Sequence, residues 1–152
     1  MSQITALHFG GHAVVNDLAP ELSNLILGAE NGRDSRIYVH ELLERPSPLK
    51  LVVLSACSTV RGSSRRGTGT LTIGRAFLDG GAEAVVGTLW PVSDDVAAGF
   101  SAALHGALAA GEDVPRAVRI AQRRIKSTSG ADASWAAFCV LQGTTSQKEG
   151  SD

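Results

Sequence analysis

The chain predicts an α/β fold, a mostly parallel sheet with helices on both faces. Three observations carry this. Short apolar runs alternate along the chain with segments of helical period. The strongest run, Leu49 to Ser55, is β-branched, uncharged after Lys50 and without alternation, as expected of a strand buried on both faces. The chain has 152 residues, of which 43% are hydrophobic, enough for one domain with a real core.

The elements follow in order. Ile4 to Phe9 reads as a buried strand that breaks at Gly10-Gly11. Leu25 to Gly28 reads as one arm of a hairpin closed near Asn31-Gly32. Ile37 to Glu44 reads as a short helix capped by Ser35 and ended by Pro46 and Pro48. Leu49 to Ser55 is the central strand, and Arg61 to Gly69 a loop rich in glycine, serine and arginine. Thr70 to Leu78 reads as a helix stopped by Gly80-Gly81, and Glu83 to Leu89 as a strand. Ser93 caps the next helix, with Asp94 and Asp95 in its first turn and an apolar stripe of Val96, Phe100, Leu104 and Leu108. Asp113 and Pro115 open another helix, whose apolar face is Val118, Ala121 and Ile125. Ala136 to Leu141 is a final strand. Residues 1–143 thus form one domain, and 144–152 a polar flexible tail.

Composition narrows the function. The net charge of −1 gives no global field favouring nucleic acid or an anionic membrane. The basic segment Arg116, Arg119, Arg123, Arg124 and Lys126 lacks interleaved aromatics and reads as a water-facing surface, so nucleic acid is not expected. No apolar run is long enough to span a bilayer, so no membrane association is expected. Two cysteines do not make a disulfide framework, which points to a reducing, cytoplasmic setting. No Cys/His pair has zinc-finger spacing. His8 and His12 are separated by two glycines, which argues against one helical face, so neither a metal nor a cofactor is expected.

The reactive residues sit at strand ends. In α/β sheets chemistry collects beyond the carboxyl ends of the strands. His12 and Cys57 both lie just past such ends. Adjacent parallel strands, about 4.8 Å apart, would bring imidazole and thiol together as base and nucleophile. Taken singly, Cys57 also reads as a small buried residue and His12 as a solvated loop histidine. Cys139, inside Phe138-Cys139-Val140-Leu141, belongs to the core.

Five ordered motifs extend this reading. Leu-His-Phe-Gly-Gly-His from Leu7, Leu-Val-Val-Leu-Ser-Ala-Cys-Ser-Thr from Leu51, and Gly67-Thr68-Gly69 before a helix come first. Val-Val-Gly-Thr-Leu-Trp-Pro-Val-Ser-Asp-Asp from Val85 and Ser-Trp-Ala-Ala-Phe from Ser134 complete the set. Together they resemble the CHAT domain, the caspase-like peptidase domain found beside tetratricopeptide repeats and related to caspases and separases. The resemblance runs from Thr5 to Gly143. It implies a cysteine endopeptidase with a catalytic dyad of His12 and Cys57. It also implies an oxyanion site of backbone N–H groups at Cys57 and near Ala13, and a protein or peptide substrate. Asp94 and Ser58 are candidates for the substrate pocket, Asp94 for a basic residue; helix N-terminus stabilisation is the competing account of Asp94.

This sequence departs from the family pattern in three ways. Ala13 stands where glycine is usual, and Gly67-Thr68-Gly69 where Gly-Glu-Gly is common. A caspase-like sheet also has two strands before the histidine strand, so the resemblance implies a sheet lacking its first strands. An upstream repeat region, a partner chain or a second copy would then complete it. Two rival readings remain: a catalytically silent CHAT-like interaction module, and a nucleotide-binding α/β module using Gly67-Thr68-Gly69.

Overall fold

A computed structural model describes residues 5–30, 33–45, 49–56, 64–65, 69–70, 72–128 and 133–143. Strand β1 (Ala6–Gly10) leads into β2 (His12–Val14), and a 3₁₀ turn at Pro20–Leu22 precedes β3 (Asn24–Glu30). Then come β4 (Arg33–Tyr38), helix α1 (Val39–Glu44), β5 (Leu51–Ser55), β6 (Ser64–Arg65) and β7 (Gly69–Thr70). Helix α2 (Ile73–Asp79), β8 (Ala84–Thr88), α3 (Asp94–Ala109), α4 (Val114–Thr128) and β9 (Phe138–Gln142) complete the order.

The main sheet runs β1-β5-β8-β9. Its first three strands are parallel and β9 is antiparallel. Side chains alternate across it with period two. Leu51, Val53, Ala84 and Val86 pack on one face against Phe100, Leu104, Val118, Ala121 and Ile125 of α3 and α4. Val52, Leu54 and Val85 pack on the other against Val39 of α1 and Ile73, Ala76 and Phe77 of α2. This two-sided burial is why β5 is apolar from Leu51 to Leu54.

Helix ends follow local chemistry. Thr72 Oγ1 accepts the Arg75 N–H at 2.9 Å and starts α2. Ser93 Oγ accepts the Val96 N–H and starts α3, with Asp94 and Asp95 in its first turn. In α4, Ala117, Val118, Ala121 and Ile125 are buried, while all five basic residues face water.

Four local expectations are corrected. β1 is an edge strand rather than a buried one: Ala6, Leu7 and His8 are exposed, and Phe9 is half-buried. The helix expected from Ile37 starts at Val39, because Ile37 and Tyr38 pair with Leu25 and Asn24 in the β3–β4 hairpin. Ser35 is therefore a strand residue, and the carboxylate of Glu41 accepts the Tyr38 N–H at the true start. The Arg61–Gly69 loop gives way to a short ladder, Ser64 with Thr70 and Arg65 with Gly69, so Thr70 is a strand residue and the helix expected from it starts at Ile73. His12 and Ala13 belong to β2 of a separate antiparallel sheet, β2-β3-β4, and not to a loop. The turn at Asn31-Gly32, Pro46 and Pro48, and the tail from 144 lie outside the described residues.

Candidate active site

β1 and β5 lie side by side and parallel, with Gly10 paired to Ser55. In sequence, His12 and Cys57 each stand two positions past that last pair. Gly11 makes the passage from β1 to β2: a Cβ there would lie 2.9 Å from Cζ of Phe9. His12 then opens β2 opposite Ile26 and is exposed.

Beyond Val53 and Val86, β5 and β8 are no longer paired. The hydroxyl of Thr88 takes over, donating to the carbonyl of Ala56 at 2.8 Å. Thr88 is 2% exposed and Ala56 7%, so this bond fixes the residue preceding Cys57 inside the fold. Cys57 and Ser58 themselves lie outside the described residues, as do Gly67 and Thr68.

Gly11, His12, Ser55, Ala56, Thr88, Val92, Asp94 and Ala97 line one cleft of about 90 Å³. That is far below the ~300–1,000 Å³ of a site for a drug-sized ligand. It has the scale of a single side chain. Of the predicted site residues, the cleft joins His12, beside Ala56, with Asp94. Asp95, its sequence neighbour, is not among the lining residues. Ala13 packs at the edge of the second core rather than in the cleft. It pairs with Leu25 in an antiparallel ladder, an extended backbone that any residue adopts, so alanine is unstrained there.

Sequence reasoning missed a polar seam beside the cleft. His8 Nε2 and Ser55 Oγ share a hydrogen bond of 2.8 Å. His8 Nδ1 and His105 Nε2 are 2.9 Å apart, and Ser55 Oγ and Ser101 Oγ 3.3 Å. Burial, and then the neighbouring His105, push the His8 pKa below its ordinary 6.5. Cys139 is a free thiol in β9, half-buried, and burial pushes its pKa up, which suits a packing residue.

The family model of the CHAT domain matches residues 1–144. The chain belongs to the CHAT domain family. No curated protein matches it at a significant level. Among solved structures, the CHAT chain is similar to the Saccharomyces cerevisiae separase–securin complex, with a TM-score of 0.55 and 18% identity. That likeness covers 69% of the CHAT chain and 7% of the chain it matches. It shows the fold alone: a caspase-like α/β domain. Among the described residues, no helix is long and apolar enough to cross a membrane.

Proposed function

We propose that this CHAT domain is a cysteine endopeptidase in which Cys57 is the nucleophile and His12 its acid–base partner. The observation that carries the reading is the cleft where His12 meets Ala56, the residue before Cys57, at the carboxyl end of two parallel strands. The Cys57 thiolate attacks the scissile carbonyl. Backbone N–H groups at Cys57 and near Ala13 take the oxyanion. The imidazolium of His12 gives its proton to the leaving amine, and water then releases the acyl group from sulfur. A reducing, cytoplasmic setting keeps the thiol available.

The test is covalent labelling by an electrophilic peptide probe. Wild type is expected to label at Cys57, Cys57→Ala to lose the label, and His12→Ala to label much more slowly through its residual thiolate. Absence of labelling in folded wild type returns the domain to a non-catalytic interaction role.

Asp94 sets the substrate class in this reading, with Ser58 as a second pocket residue. Asp94 borders a cleft of side-chain size, which supports a site for Arg or Lys before the cleaved bond. Asp94→Asn is expected to lower kcat/KM after Arg by about 10–100-fold, the worth of one charge-assisted hydrogen bond. Substrates with an uncharged residue there should be unaffected. Equal loss on all substrates would assign Asp94 to the helix terminus alone.

The partner reading rests on β1. It is the edge of the main sheet, with Leu7 37% exposed and unpaired backbone along its outer side among the described residues. An upstream repeat region, a partner chain or a second copy adds a strand there. Purified alone, the domain is expected to self-associate with rising concentration in sedimentation velocity. A clean monomer with a high melting temperature contradicts this.

A further inference from the structure

We propose that His8 is a positioning residue: through Ser55 and His105 it locks the end of β5 and helix α3 together, and so sets the two walls of the cleft. This deepens the peptidase reading and rests on it for its effect on rate.

The argument starts from period. His8 pairs with Val53, and Ser55 has the same parity, so both point to the α3 side of the sheet. On α3, Asp94, Ala97, Ser101 and His105 follow one another at three, four and four residues, a single helical stripe. Its lower half bonds to the seam, Ser101 to Ser55 and His105 to His8. Its upper half, Asp94 and Ala97, lines the cleft together with Ser55. His8 is not itself a lining residue of the cleft; it acts through Ser55, two residues before Cys57.

The seam has a proton signature. The contact between Nδ1 of His8 and Nε2 of His105 holds one proton, donated by one ring and accepted by the other. It persists when one ring is charged. It fails when both are, because two N–H groups then face each other across 2.9 Å. Among the described residues, the groups facing His8 are His105 of α3 and the hydroxyl of Ser55 on β5. The fold favours neutral His8, so its contribution is fully present above pH 6.5 and is lost as pH falls below that value.

The experiment pairs cleavage kinetics with hydrogen exchange in wild type, His8→Ala, His8→Gln and His105→Gln. Glutamine places an amide where Nε2 of His8 meets Ser55, but does not titrate. His8→Ala is expected to lower kcat/KM about 10–100-fold, the scale of a misplaced site, and to speed exchange at residues 51–56 and 94–97. His8→Gln should restore most of both. His105→Gln should keep neutral-pH cleavage and remove the acid-side loosening of α3 expected of wild type below pH 6.5. If His8→Ala changes neither exchange at these segments nor cleavage, the positioning role is overturned. It is also overturned if His105→Gln loosens with acid as wild type does. If wild type does not cleave, yet the exchange pattern appears, the peptidase reading falls and the seam stands.

Discussion

Cys57→Ala is expected to abolish peptide cleavage, and His12→Ala to lower kcat/KM by about 10²–10⁴-fold. The two losses have different origins. Without sulfur there is no nucleophile. Without imidazole, attack by the residual thiolate continues, but the amine must leave without a positioned proton donor. The defect of His12→Ala should therefore depend on the leaving group: large for peptide bonds, much smaller for activated esters, whose alkoxide or phenolate leaves unaided. A uniform defect would make His12 a structural residue of β2. Cys139 supplies the internal control. It is a half-buried free thiol with a raised pKa, so Cys139→Ser should leave cleavage and probe labelling unchanged.

What the sequence made legible is what burial and period encode. β5 could be read because both its faces are covered, which removes every polar residue from Leu51 to Leu54. α3 could be read because Ser93 caps it and its apolar stripe repeats at four. The parallel neighbours β1 and β5 followed from the same reasoning. The small sheet β2-β3-β4 was harder. β2 has only three residues, too few for a pattern, and hairpin pairing with β3 claims Ile37 and Tyr38 from the helix their sequence suggests. The seam was hidden for another reason. Its bonds join residues 46, 47 and 97 positions apart, and such contacts leave no local period. One trace was available: a polar serine and a histidine, Ser101 and His105, continue the helical line from Asp94. Thr88 was hidden likewise, since nothing local tells that its hydroxyl replaces a lost strand pairing.

Phe100→Ala is expected to cost about 3–5 kcal/mol of stability, a large share of the ~5–15 kcal/mol that holds a domain folded. Phe100 is 1% exposed and stacks on Phe138 with ring centroids 3.6 Å apart and planes 4° from parallel. Ring quadrupoles favour offset or edge-on pairs over such close overlap, so little of the gain is electrostatic. Burial and packing supply it. The ring fills the space where α3, α4 and β9 meet over Val53 and Val86, so removing it leaves a cavity shared by several elements. Collapse is restricted on the α4 side, where a Cβ at the neighbouring Gly99 would already lie 3.1 Å from Cδ1 of Ile125. Urea denaturation should show a lower midpoint at an unchanged slope. Arg75→Ala, which breaks the exposed Arg75–Asp79 pair, should shift the midpoint little. A Phe100→Ala loss below about 1 kcal/mol would mean that the α3–α4 layer repacks freely. Such freedom would also undo the fixed placement of Asp94 at the head of α3, because the same helix carries both the core ring and the cleft-lining aspartate.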